Sequence, residues 1–194
     1  MFHLWGMEAQ LQQTRLRNFA AAICGKQGMQ INELSDDDRK WVQERTELLF
    51  GGDFVVSRDE VHDPHLLPGY IATEGPERVG LVTYAIDDEA CEIVTIDSLC
   101  QFMGIGTELL EKVESIALAA GCDHLWAITT NDNLDAQRFF QKRGFVISAV
   151  RLGSMSKIRL LKPSVPRVGY HGIPIRDEIE LSKPLGRRAA RIGD

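Results

Sequence analysis

No run of apolar residues in this 194-residue chain approaches the ~18 to 20 needed to cross a bilayer as a helix, so no membrane partner is expected. Basic residues are also short: 22 Lys and Arg face 28 Asp and Glu, giving a formal charge of −6. An acidic chain with a pI near 5.4 is a poor general nucleic-acid binder, because such binding wants a basic face that releases counterions. Cysteine is sparse, and the four at 24, 91, 100 and 122 show no Cys-x-x-Cys or metal spacing. They read as free thiols of a reducing, cytoplasmic compartment. His62 and His65 lie in a proline-bearing loop without a supporting cysteine or acid constellation, so no metal is expected. Residues 1–28 carry one acid, Glu8, and no serine, which disfavours a transit peptide and leaves a dispensable extension.

What is present suffices for one domain. At 44% hydrophobic, the chain can bury a full core over residues 29–183, with a basic tail at 184–194. Gln30–Leu34 alternates as a short strand, and Ser35 with Asp36, Asp37 and Asp38 opens a helix that stops at Gly51-Gly52. Residues 53–69 have loop chemistry. Tyr70–Thr73, Val79–Ile86 and Cys91–Leu99 read as an antiparallel meander, and His124–Thr130 as a strand parallel to its predecessor because a helix lies between them. Asn131-Asp-Asn133 caps a helix closed by Gly144, and Phe145–Val150 is a strand. The glycines and prolines of 151–176 predict an extended loop before a last strand at Asp177–Leu181. A partner copy could cover the edge left by that strand and loop, which would make a homodimer.

The central stretch is Glu92–Leu110. A β-rich run enters a loop with Gly104 and Gly106, then a helix whose Leu109, Leu110, Val113, Ile116, Ala117 and Ala120 repeat at three and four residues. The first amides of a helix have no internal partner and sit at the positive end of its dipole, so main chain alone can hold an anion there. A dinucleotide fingerprint would need a third glycine where Leu109 stands.

The order of elements, Gln101-Phe-Met-Gly-Ile-Gly106, and Asn131 with Ala136-Gln-Arg-Phe-Phe-Gln-Lys-Arg-Gly-Phe145 together resemble the GNAT superfamily of acyl-CoA-dependent N-acyltransferases. Pro163–Leu181 looks like the ending of a bacterial subgroup of that family whose substrate cannot be named. The resemblance implies an α+β fold of α/β/α type, with a mixed, mostly antiparallel sheet of about six or seven strands and a V-shaped splay between strands 4 and 5. It implies acetyl-CoA as co-substrate, a primary amine of a small molecule or peptide as acceptor, and direct attack.

The implied cofactor residues are Ile96, Ser98 and Leu99 on the incoming strand, and Gln101, Phe102, Met103, Gly104, Ile105, Gly106 and Thr107 around the pyrophosphate. Asn131, Ala136, Phe139 and Phe140 would lie nearer the thioester. Glu92 is the first candidate base and Asp97 the second. Glu108 would turn outward, toward Lys112. Phe140 stands where relatives commonly place a proton-donating tyrosine; Tyr84 and Tyr170 are the substitutes at hand. That departure keeps a second reading open, a non-catalytic acyl-CoA-binding or regulatory module.

Overall fold

The structure, a computed structural model, describes residues 28–100 and 102–186. The extension before Gly28, the end of the basic tail and Gln101 lie outside the described residues. Two compact units emerge, one of residues up to Ala85 with Val94–Val113, the other of Ile86–Ile93 with everything from Glu114.

In the first unit, β1 (Met29–Glu33) leads to α1 (Asp36–Phe50). Asp38 Oδ2 accepts the Ser35 amide and hydroxyl at 3.0 and 2.6 Å, while Arg78 Nε donates to Oδ1 at 2.9 Å. Burial pushes the Asp38 carboxyl up, but these donors outweigh it and hold it below the usual carboxylate value. Gly51, at φ +74°, ends the helix by giving its amide to the Glu47 carbonyl.

Residues 53–69 are not the plain loop expected. They contain a hairpin of β2 (Val55–Ser57) and β3 (Glu60–His62), then a short 3-10 turn at Pro64–Leu66. The hairpin turn uses Arg58 and Asp59, both at positive φ, without the glycine or asparagine that would advertise it. Arg39 ties the turn to α1 by donating to the carbonyls of His65 and Leu67 at 3.1 and 2.7 Å.

β4 (Gly69–Glu74), β5 (Glu77–Asp87) and β6 (Ala90–Ser98) form the expected meander, with β1 antiparallel to β4 and β4 to β5. After the glycine loop, α2 (Ile105–Ala119) buries Leu109, Leu110, Val113 and Ala117 of the periodic set, together with Ile105, while Ile116 is half-buried and Ala120, past the helix end, is exposed. Gly80 on β5 permits its close approach. A Cβ there would stand 2.6 Å from Ile105 Cγ2, 3.1 Å from Leu109 Cδ1 and 3.3 Å from Ala72 Cβ. Gly80→Val is therefore expected to cost about 1–3 kcal/mol by over-packing, read as a lowered urea midpoint.

In the second unit, β7 (His124–Thr130) pairs in parallel with β6 from Ala90↔His124 to Ile93↔Ala127. The four-pair ladder includes neither Val94–Ser98 nor Ile128–Thr130. α3 (Leu134–Gln141) leads to β8 (Val146–Arg151), and α4 (Ser154–Leu161) precedes β9 (Glu178–Pro184). Seven strands bond in the order β1-β4-β5-β6-β7-β9-β8, the mostly antiparallel GNAT-like sheet expected.

Three expectations are corrected here. The stretch 151–176 contains α4, whose Leu160 and Leu161 are exposed and so give no inward apolar periodicity. The last strand is no edge: β9 is antiparallel to both β7 and β8, and the edge is β8. Cys91 and Cys122 are free and buried, whereas Cys100 is disulfide-bonded, against the expectation of four free thiols. Burial, with Cys122 and Glu92 nearby, pushes the Cys91 thiol up to about 12. No helix among the described residues is long and apolar enough to cross a membrane.

Candidate active site

The loop from β6 into α2 is shaped by two left-handed residues, Phe102 at φ +62° and Gly104 at φ +85°. Backbone of alternating hand turns successive amides toward one point, and the helix dipole adds partial positive charge behind them. The amides of Thr107 and Glu108 are already given to the Gly104 carbonyl at 2.8 and 3.1 Å. Among the described residues, the amides of Phe102, Met103, Gly104, Ile105 and Gly106 have no such acceptor. Of the 101–107 stretch expected to hold a pyrophosphate, Thr107 has its amide committed within the loop, and Gln101 lies outside the described residues. Ile105 points into the core, while Phe102 is 88% and Met103 52% exposed. Glu108 is exposed, and its Oε1 lies 3.9 Å from where a Cβ on Gly104 would stand, beside the cradle.

β6 carries Ile96 and Ser98, and Leu99 directly follows it, all three half-buried. Ser98 Oγ donates to the Cys100 carbonyl at 2.9 Å and the Leu99 amide to the Val79 carbonyl, also at 2.9 Å, so the entrance to the loop is fastened to β5. Asp97 is committed to Arg45 of α1, with Nε at 2.6 Å and Nη2 at 2.5 Å from Oδ2. Its side chain is 10% exposed and that of Arg45 4%, making a buried bridge from helix to strand.

Glu92 is 5% exposed and sits inside the parallel ladder opposite Trp126. It is not a surface glutamate at a strand end. Two residues that sequence reasoning missed share its sheet face. Trp126 pairs with Ser182, and Glu180 and Glu178 precede Ser182 at two-residue steps on β9, both buried. Glu180 accepts from Arg151 Nη2 at 2.6 Å and from Ser148 Oγ at 3.0 Å. The Glu178-Ile-Glu180 alternation was the signal available for them.

Asn131 does something the motif did not suggest. Its side-chain oxygen accepts the amides of Arg176 and Asp177 at 2.8 and 3.0 Å, and its nitrogen donates to the Pro174 carbonyl at 2.9 Å. The residue clamps the 174–177 segment to the end of β7. Ala136 gives its amide to the helix-capping Asn133 at 3.1 Å. Phe140 is buried in edge and tilted contacts with Phe139 and Phe145, and Arg143 stacks on Phe139. Tyr170 is 40% exposed on a short 3-10 turn. No group of three or more His, Cys, Asp or Glu among the described residues is placed to hold a metal ion.

A sequence model described as the acetyltransferase (GNAT) family matches residues 30–145. The chain belongs to the GNAT acetyltransferase family. It is an acyl-CoA-dependent N-acetyltransferase of mixed α/β architecture. The uncharacterized Bacillus subtilis protein YdhI is 48% identical over 120 residues, 61% of this chain and 75% of its own. Another from the same organism, YxbD, is 36% identical over 137 residues, 70% of this chain and 86% of its own. A Bacillus subtilis acetyltransferase in complex with CoA superposes with a TM-score of 0.61 at 23% identity, covering 83% of this chain and all of that one. An Elizabethkingia anophelis GNAT acetyltransferase with acetyl-CoA bound gives 0.61 at 21%, covering 82% of this chain and all of that one. At these identities the likeness is one of fold.

One pH dependence of this acetyltransferase arises beside the clamp. Asp177 Oδ1 accepts the Gly153 amide at 2.8 Å and Oδ2 accepts Arg176 Nε at 3.0 Å. The Gly153 bond first, and then Arg176, hold its carboxyl below the usual value despite burial. A carboxyl lowered by folding stabilises fully above its unfolded pKa, about 3.9, and that contribution fades as pH falls through the folded value. Asp38 has the same sign. Stability is expected to drop below about pH 4, and Asp177→Asn to make the drop shallower in urea melts run across pH 2–6.

Proposed function

We propose that this GNAT enzyme transfers the acetyl group of acetyl-CoA to a primary amine of a small molecule or peptide by direct attack. The observation that carries the proposal is the row of unbonded amides at Phe102–Gly106, heading a 15-residue helix. Such a row fits a diphosphate and needs no basic side chain. The main chain of Val94–Ser98, beyond the ladder to β7, suits the pantetheine arm as an added strand would. The CoA and acetyl-CoA bound by two neighbours of the same fold support this assignment.

An alkylamine with a pKa near ~10 is mostly protonated at neutral pH and must lose a proton before it attacks. Glu92 is the proposed base, directly or through a water; Asp97, held by Arg45, is better suited to fixing β6. Attack forms a C–N bond, the C–S bond breaks, the nitrogen gives up its second proton to solvent, and the thiolate takes a proton from solvent, since Phe140 has none to give. No oxidant, reductant or metal enters the balance. Phe140 was the ground for a non-catalytic module, and a thiol acidic enough to leave without a protein acid removes that ground.

Two measurements test this. Acetyl-CoA and CoA should raise Tm while ATP does not; stabilisation by ATP alone would remove the cofactor assignment. Glu92→Gln should keep the acetyl-CoA shift and lose about 10²–10⁴-fold in kcat for thiol release across an amine panel. Unchanged kcat would end Glu92's role as base.

A further inference from the structure

Charge is divided unevenly along this chain. Residues 151–176 contain six Lys and Arg and no Asp or Glu, leaving 16 basic residues against all 28 acids elsewhere. Several of the six are structural. Arg151 is bonded to Glu180, Lys162 is buried, and Arg159 donates to the carbonyls of Met155, Val165, Pro166 and Ile175 at 2.7–3.3 Å. Lys157, Arg167, His171 and Arg176 are exposed, as is Tyr170, although Arg176 shares its charge with Asp177.

The segment carrying them is a built platform. Asn131 holds Pro174, Arg176 and Asp177 as described above. Asp132, 1% exposed, accepts the Tyr170 amide at 2.9 Å through Oδ2. Gly169 lies so close that a Cβ on it would stand 1.9 Å from that same oxygen. The Gly169 and Ile173 main chains also bond, as do Ile175 and Arg167, both at 2.9 Å. Asn131 and Asp132 directly follow Ile128–Thr130, the end of β7 outside the β6 ladder. The platform is therefore fixed at the open end of that strand. Its like charges crowd: besides burial, the charge of Arg167 pushes the Arg159 guanidinium down. An anion beside Arg167 would relieve that crowding.

We infer that the acceptor carries an acidic group, a carboxylate or phosphate, beside the amine it offers, and that Arg167 and His171 on the clamped 167–176 segment read it. This rests on the acetyl-transfer reading and adds the acceptor's chemical class. Asn131 and Asp132 are positioning residues, acting through the platform.

The test compares acceptors of matched length: propylamine, 1,3-diaminopropane, β-alanine and O-phosphoethanolamine, each with acetyl-CoA, read by thiol release. The expected result is a kcat/KM for β-alanine or O-phosphoethanolamine at least about tenfold above that for propylamine. Arg167→Glu should abolish the preference by raising KM, Arg167→Lys should restore most of it, and 0.5 M NaCl should weaken it. Equal or higher kcat/KM for propylamine or diaminopropane would overturn the inference while leaving acetyl transfer standing. If no acceptor is turned over, the CoA-saturated protein is melted with O-phosphoethanolamine. A Tm rise that Arg167→Glu removes supports the anion site; no rise overturns it. Failure of CoA itself to stabilise the protein would instead strike the acetyl-transfer reading.

Discussion

Replacing Arg45 with methionine is expected to lower stability by about 3–5 kcal/mol, because it leaves the Asp97 carboxylate buried with its guanidinium gone. The urea midpoint should fall steeply. The partner substitution Asp97→Leu should also destabilise, and the two together should recover most of the loss, since a buried ion pair and an apolar pair of similar size are often nearly equivalent. The same set separates two chemical roles. If the double variant still releases thiol from acetyl-CoA, Asp97 fixes β6 to α1; if it folds and is inert while Glu92→Gln is active, Asp97 is the base instead.

Gly104→Val is expected to raise the Kd for acetyl-CoA about 100-fold, in two steps. A β-branched residue is a genuine outlier at φ +85°, so the loop leaves the hand that converges its amides. Each misaligned, charge-assisted bond to a phosphate then loses about 1.5–3 kcal/mol. Gly121→Val supplies the control, because Gly121 has φ +87° with open space around it and lies past the end of α2. Both variants should lose comparable stability in denaturant melts. Only Gly104→Val should lose affinity by calorimetry; equal affinity losses would show that the cradle is not where the phosphates bind.

Much of this was legible because the relevant residues act locally. The Ser35–Asp38 start, the Gly51 stop and the apolar periodicity of α2 depend on neighbours within four residues; the start and the stop stand where the pattern puts them, and Leu109, Leu110, Val113 and Ala117 are buried as it requires. What escaped depends on distant partners. The hairpin turn at Arg58-Asp59 uses positive φ at two positions with no glycine or asparagine to announce it, and α4 keeps two leucines on its outside. Asn131 matches a cofactor motif, yet its amide group meets chain more than 40 residues further on. Asp97 could be weighed as a base from sequence because nothing local announces that Arg45, 52 residues earlier, will meet it. On the glycine loop, the sequence shows the glycines, whereas the bond from the Thr107 amide to the Gly104 carbonyl depends on the fold of the loop itself.

The place of β9 between β7 and β8 imposes an order of events during synthesis. β8 leaves the ribosome first but has no neighbour until residues 178–184 have been made. Until then its Val146, Ile147 and Val150 stand on an unpaired strand, the kind of surface that nascent-chain chaperones shield. A message truncated just before Glu178 would therefore yield a product whose β8 has no strand to pair with, prone to clump.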